Sequence, residues 1–412
     1  MKCTIDKDVI LSQPLEGPLS EHIARFANWA RDQGYARYTR YRQALLAACF
    51  SRWLGQRDVG LRSVSSEHAA RYLRSRARHL KIHRSDTHAL RDLLNFLRCQ
   101  GVVPREKTPP ARLTPAERVV QDFESYLRNE RMLAEATIVN YVPFVLGFLT
   151  NRFGDDSVRL RRLCAGDVVR FIQRQAPRLH LKSAKLLTTA LRSFLHYARY
   201  RGAVMLDLAA AVPTIANWSM PSIPRAIPRD ATRRLLASIN RRTAMGRRDY
   251  AILLLLARLG LRAGEVVRLE LEDINWEAGS ITVQGKRGRR SVLPLPADVG
   301  SAIATYLQHG RPRSSSRSVF LRTQAPIRGF RGPVAIASLV RHNLVRAGIQ
   351  APTMGAHQFR HALATRMLHH GASLAEIGEV LRHRNPETTK IYTKVDLDSL
   401  RSLAMPWPGG VR

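Results

Sequence analysis

Cysteine is scarce: four residues in 412, at Cys3, Cys49, Cys99 and Cys164, with no CxxC pair. That scatter excludes a disulfide framework and a cysteine zinc site, and reads as reduced, unliganded thiols of a cytosolic protein. Acidic residues are few, 32 against 67 Lys and Arg. Long apolar runs are missing too. None, Ala251–Ala257 included, approaches the ~20 residues of a membrane span. The opening MKCTIDKDVI has no signal-peptide core. A phosphate-binding GxxxxGK[ST] loop is absent, as is a clear carboxylate triad for metal. The expectation is a chain with no metal, nucleotide or other cofactor, and no membrane association.

What the sequence has is positive charge. A net +35 and a pI near 11.4 exceed the needs of solubility. Each Lys or Arg set beside a phosphate releases condensed counterions, so the charge points to nucleic acid. A chain of 412 residues is long enough for two to four domains with real cores.

Residues 1–17 show no clear period and read as an irregular arm. From Leu19 the pattern is helical, with Ile23, Phe26, Ala27 and Ala30 at 3.6-residue spacing. Amphipathic stretches follow at Tyr41–Leu54, Ser66–Arg78 and Ser85–Gln100, the last closed by Gly101. The layout then recurs about one hundred residues on. Tyr41…Gly55 matches Tyr141…Gly154, Arg71-Tyr72-Leu73 matches Arg170-Phe171-Ile172, and Ala89-Leu90-Arg91 matches Ala190-Leu191-Arg192. So long a period means duplicated domains rather than a solenoid. Two helical domains are expected, 18–103 and 114–213. The Pro-rich segment 104–113 separates them, because proline interrupts helices. A second linker, 214–228, lies in the stretch Pro213–Pro228, which holds four prolines.

Both copies carry basic runs. Arg71, Arg74, Arg78 and Lys81 step by 3, 4 and 3, and Arg170, Arg174 and Arg178 step by four, so each run shares a helix face. A charge run is usually a solvated face, but these contain almost no acids to pair with. They are read as phosphate contacts, which position a protein without reading sequence.

Beyond the second linker, Asp230 is expected to cap a helix, followed by a buried helix at Arg247–Leu259 that Gly260 ends. Ser280–Val283 and Ser291–Leu293 read as strands, bridged by Gln284-Gly285-Lys286-Arg287-Gly288-Arg289-Arg290. Helices are expected at Gly264–Leu269, Ala297–Gln308, Ala335–Ala347, His357–His370, Leu374–Leu381 and Pro386–Tyr392. The last fifth, His357 to Val395, holds His357-x-x-Arg360, then Leu381-Arg382-His383, then Tyr392 nine residues after His383. Upstream stand Gly260-Leu261-Arg262-Ala263-Gly264-Glu265 and Gly285-Lys286.

This ordered set of Arg, Lys, His-x-x-Arg, His and Tyr resembles the tyrosine recombinase, or phage integrase, family over roughly 225–403. The resemblance implies a mainly α fold with a small β-sheet in a catalytic domain (229–403, then a tail, 404–412), preceded by helical SAM-like DNA-binding domains. Residues 114–213 are similar to the family's core-binding domain. The added copy at 18–103 departs from the simplest family layout. The resemblance implies a site-specific recombinase that cleaves and rejoins DNA through a 3′-phosphotyrosine, for integration or transposition of a mobile element. By resemblance, Tyr392 is the nucleophile, Arg262 and Arg360 clamp the phosphate, and Lys286 is the general acid. His357 assists proton transfer, and His383 contacts a phosphate oxygen or orients the tyrosine. Such roles suit the residue types, since guanidinium binds phosphate bidentately and histidine exchanges protons near neutral pH. The neighbouring Arg287, Arg289 and Arg290 are read as rival phosphate contacts, Arg287 and Arg289 foremost. His361 is usually structural in the family, and Glu265 and Asp273 are read as orienting Arg262 or capping helices. Arg382 stands where the family usually has a small residue. The implied partners are double-stranded DNA and three more copies, as a tetramer on DNA, in the bacterial cytoplasm. Three other readings stand beside it: a type IB topoisomerase-like enzyme, a DNA-binding accessory protein of the same fold that does not cut, and a general nucleoid-binding protein, which would explain the charge but not the motifs.

Overall fold

The computed structural model describes residues 3–6, 9–11, 14–105, 113–215, 226–285, 288–383 and 385–395. Both linkers lie partly outside this set, and the tail lies wholly outside it. The chain divides into two compact units, one built from Met1–Glu106 with Pro221–Arg412, the other from Lys107–Met220.

The first unit opens on a hairpin, β1 (Cys3–Asp6) and β2 (Val9–Leu11), paired antiparallel. This corrects the expected irregular arm. Val9 and Leu11 are buried either side of exposed Ile10, the period of two that a strand requires, over a stretch too short to show in sequence. Four helices follow: α1 (Ser20–Asp32), α2 (Arg37–Gly55), α3 (Ser66–Ala77) and α4 (Arg84–Cys99). Their apolar faces close on Ile23, Phe26, Phe50, Leu90 and Leu97, all 1% exposed or less. Phe26, Trp29 and Phe96 meet at ring separations of 5.6–5.8 Å.

The second unit repeats the order as α5 (Pro115–Asn129), α6 (Glu135–Phe153), α7 (Ala165–Gln175) and α8 (Leu181–Tyr200). In each set a short 3-10 turn, Leu61–Ser63 or Leu160–Arg162, precedes the third helix. Thr114 starts α5 because its hydroxyl accepts from the Glu117 N–H while Glu117 reaches back to the Thr114 N–H.

The rest of the first unit runs α9 (Arg229–Ala237), α10 (Ala244–Leu259), α11 (Ala263–Arg268), β3 (Ile274–Asn275), β4 (Ser280–Gln284), β5 (Arg290–Pro294), α12 (Ala297–His309), α13 (Pro333–Arg346), α14 (His357–His369) and α15 (Leu374–Val380). The strands form one antiparallel sheet in the order β3-β4-β5. The two-residue β3 was not anticipated, being too short for alternation. Asp230 does not cap α9. Pro228 holds that position, as its fixed φ allows, and Asp230 pairs with Arg234 one turn on. Pro386–Tyr392 is not an α-helix either, but two 3-10 turns, Pro386–Thr388 and Lys390–Val395. The later turns of α10 are nearly all apolar and form the spine, with Ile252, Leu253, Leu255 and Leu256 fully buried. At its start Arg248 donates from Nε and Nη2 to Asp249 Oδ1 (2.9 and 2.7 Å), and Asn343 Nδ2 donates to Asp249 Oδ2 (3.1 Å). The first helical set touches this part of the unit. The Ile327 N–H donates to the Gln33 carbonyl at 2.9 Å, and a side chain on Gly34 (φ 80°) would come within 2.4 Å of Ile327.

Candidate active site

Gly260 ends α10 in the left-handed conformation, φ 59°. A Cβ there would lie 2.9 Å from Leu363 and 3.1 Å from Leu381. The turn therefore lets α14 and the end of α15 close onto α10. It also presents the Gly260 carbonyl to Arg360, whose Nη1 donates to it at 2.7 Å. Arg360 Nη2 donates to the Leu381 carbonyl. A guanidinium only 1% exposed is thus pinned by two carbonyls, one at the end of α10 and one at the end of α15.

Arg262 follows two residues after Gly260 and caps α11. Its backbone N–H donates to Glu265 Oε2 (2.9 Å) and its Nη1 to Glu265 Oε1 (2.8 Å). The side chain is 34% exposed, so of the two expected clamp arginines Arg262 is the accessible one and Arg360 the anchored one. Glu265, 2% exposed, also accepts from Arg382 Nη2 at 2.9 Å. Glu265 orients Arg262, as expected. Asp273 instead accepts from the Glu270 N–H at 2.9 Å and caps a 3-10 turn.

Tyr392 is 1% exposed and packs among Leu363, Ala364, Ile377 and Leu381. Its hydroxyl meets His361 Nδ1 at 3.0 Å. His383 lies parallel to the phenol ring at 6.4 Å, its Nδ1 held by Thr389 Oγ1 at 2.7 Å. His357 is exposed one helical turn before His361, the rings edge to face at 4.6 Å. The histidine on the tyrosine is therefore His361. The i, i+4 spacing already put His361 on the face of His357, but spacing alone could not tell which ring reached inward.

Burial and charge set the protonation of the group. Burial pushes the Tyr392 phenol up to about 12, against the opposing pull of Arg360 and Arg262. It pulls His361 down to about 4, helped by the His357 and Arg360 charges, and His383 to about 4, helped by Arg360 and Arg262. Both rings are neutral near pH 7. Arg360 falls to about 9 through burial, with Arg262 and Arg382 adding, and stays charged. Burial alone would raise Glu265. Arg382 and the Arg262 bonds override it and hold the carboxylate below its usual range.

The expected hairpin acid, Lys286, and its neighbour Arg287 lie outside the described residues. Arg289 is exposed beside them, its carbonyl accepting from the Gly285 N–H at 2.7 Å. Arg71 and Arg74 are exposed on α3, where Arg71 pairs with Glu67. Arg78 caps that helix and Lys81 lies in the loop beyond, so this run does not share one helix face. Arg170 and Arg174 are exposed on α7, and Arg170 pairs with Asp167 at 2.8 Å. Arg178 falls in a 3-10 turn, because Pro177 interrupts the helical step. Among the described residues, no cluster of His, Cys, Asp or Glu could hold a metal, and no helix is long and apolar enough to cross a membrane.

Residues 225–398 match the phage integrase family, and residues 120–202 match the phage integrase N-terminal SAM-like domain. The chain is 55% identical over 409 residues to a Sinorhizobium fredii protein named integrase/recombinase y4rA, covering 99% of each. It is 30% identical over 296 residues to tyrosine recombinase XerD of Yersinia pestis, covering 69% of this chain and 95% of that one. Among solved structures, XerH site-specific recombinase bound to a palindromic difH substrate, a post-cleavage complex, aligns with a TM-score of 0.56 at 16% identity, over 72% of this chain and 98% of that one. A lambda integrase (75-356) dimer bound to a COC′ core site gives 0.53 at 14%, over 67% and 94%. At these identities the structural likenesses speak to the fold alone.

Proposed function

The chain belongs to the phage integrase family of tyrosine recombinases, and from that premise we propose that it cuts and rejoins DNA strands through a covalent link at Tyr392. The observation that carries the reading is the Tyr392 hydroxyl, hydrogen-bonded to a neutral histidine within the field of Arg262 and Arg360. In the first step the Tyr392 oxygen bonds to phosphorus as its proton passes to His361 Nδ1. The bond to the 5′-oxygen breaks, leaving a 3′-phosphotyrosyl strand and, once protonated, a 5′-hydroxyl. Lys286 is proposed as the acid for that oxygen. A 5′-hydroxyl from a second strand then attacks the phosphorus and gives its proton back to Lys286, the bond from phosphorus to the Tyr392 oxygen breaks, and His361 returns the proton to the phenol.

Arg262 and Arg360 offset the charge that gathers on the equatorial phosphate oxygens. Thr389 Oγ1 holds His383 Nδ1 at 2.7 Å, and in the proposed tautomer His383 carries a proton on Nε2 and donates it to a phosphate oxygen. Energy of the broken phosphodiester is kept in the phosphotyrosine, so neither metal nor nucleotide is required.

Each protomer carries one such tyrosine. Exchanging strands between two duplexes cuts four strands, which calls for four protomers on DNA. Integration or transposition of a mobile element, acting on DNA in the bacterial cytoplasm, is the role proposed. The integrase/recombinase name of the 55%-identical relative supports the integration part of that role.

A nicked suicide duplex tests the chemistry. Its site is selected from a random-sequence pool by the Tyr392→Phe protein. Incubated in EDTA, wild type yields a covalent protein–DNA band and Tyr392→Phe yields none. A duplex that wild type binds without forming the band overturns the reading.

A further inference from the structure

Where α15 ends, the backbone has the geometry that glycine serves. The His383 N–H donates to the Gly378 carbonyl and the Arg382 N–H to the Glu379 carbonyl, both at 2.8 Å. That pair of bonds closes a helix with one left-handed residue, a place strongly enriched in glycine. Here it is Arg382, at φ 55°. An arginine in that conformation is strained, and such strain concentrates at functional sites.

The side chain indicates what the arginine does. It is 12% exposed and runs inward. Its Nη2 donates to Glu265 Oε2 at 2.9 Å, and its Nη1 to the Val380 carbonyl at 3.3 Å. Its Nε is buried and has no hydrogen-bond partner among the described residues. Glu265 is the same carboxylate that holds Arg262 by side chain and backbone. Without Arg382, the Arg262 guanidinium would be the only cationic side chain bonded to that buried carboxylate. The residue meant for DNA phosphate would then be largely neutralised from behind. With Arg382, two guanidiniums share the carboxylate and the charge of Arg360, bonded to the Gly260 and Leu381 carbonyls, stands near them, which leaves two positive charges for an incoming anion.

We propose that Arg382 is a positioning residue of the phosphate site. It takes up half of Glu265, fixes that carboxylate, and keeps the Arg262 charge available to the scissile phosphate. This rests on the strand-cleavage reading above and goes beyond it, since Arg382 itself need not touch DNA.

Arg382→Gly separates positioning from structure, because glycine suits the backbone better than arginine. The readouts are Tm, duplex affinity and single-turnover covalent complex formation on the selected suicide duplex. The expected result is a Tm equal to or above wild type, affinity close to wild type, and cleavage slowed roughly ten- to a hundredfold, the scale of a misplaced reacting group. Arg382→Lys restores part of the rate. In a Glu265→Gln background, Arg382→Gly costs little further, since the charge it offsets is gone. Cleavage by Arg382→Gly at the wild-type rate, or a rate loss that tracks a fall in Tm, overturns the proposal and leaves the cleavage reading standing. Absence of covalent product from wild type on a bound duplex overturns both.

Discussion

Replacing His361 by glutamine tests how the buried tyrosine is activated. With the Tyr392 phenol pushed up to about 12, only roughly one molecule in 10⁵ carries a phenolate at pH 7. A preformed phenolate is therefore too rare to be the working nucleophile, and the proton has to leave during attack. In the proposed mechanism His361 Nδ1, 3.0 Å away, takes that proton. Its pKa, lowered to about 4 by burial, means that the base form persists through the acid range. The sign follows: a histidine near 6.5 would lose base function as pH falls below that value, whereas His361 loses it only on approaching 4. Single-turnover cleavage by wild type should thus be flat from pH 7.5 down to pH 5.5. Glutamine keeps the size and an oxygen acceptor but cannot take the proton. His361→Gln should cleave about 10²- to 10⁴-fold more slowly, the usual share of a positioned base. Its rate should climb about tenfold per pH unit, because attack then depends on the phenolate fraction. The assay is quench-flow formation of the covalent complex on the suicide duplex. An inflection near pH 6.5 in wild type, or a His361→Gln rate close to wild type, refutes this account.

Three further outcomes follow from the packing. Gly260→Ala should destabilise the first unit by about 1–3 kcal/mol, through its left-handed φ and the contacts of 2.9 and 3.1 Å with Leu363 and Leu381, and should slow cleavage by displacing Arg360. Urea denaturation and the suicide duplex measure the two effects. Asp249→Ala leaves Arg248, 7% exposed, without its carboxylate and should cost about 3–5 kcal/mol in the same denaturation. Gly34→Val should break the seat of Ile327 on the first helical set. Hydrogen exchange at the Ile327 amide, bonded to the Gln33 carbonyl in wild type, should accelerate while the α10 amides stay protected.

The helices were legible because amphipathic periodicity survives in local sequence. α2, α4, α10 and α14 lie where Ile, Leu and Phe recur at helical spacing. The hairpin at Val9–Leu11 and the strand Ile274–Asn275 escaped because two or three residues cannot display alternation. Phosphate-clamp candidates could be picked by residue type and order; the structure adds that Arg262 bonds Glu265 and that Arg360 bonds the Gly260 carbonyl. Which histidine bonds Tyr392 was not, since His357 and His361 share a helix face and only the approach of the Tyr392 turn distinguishes them. Arg382 stood out in sequence as unusual for its place. Its pairing with Glu265, 117 residues earlier, is a tertiary contact that no local pattern encodes.

The central claim is chemical and sits on one oxygen. Covalent complex trapped on the suicide duplex is digested with nuclease and protease, and the adduct is located by mass spectrometry. The adduct expected is a nucleotide attached through its 3′-phosphate to the peptide carrying Tyr392, formed in EDTA and absent from Tyr392→Phe. An adduct on any other residue, or a 5′-phosphate linkage, contradicts it.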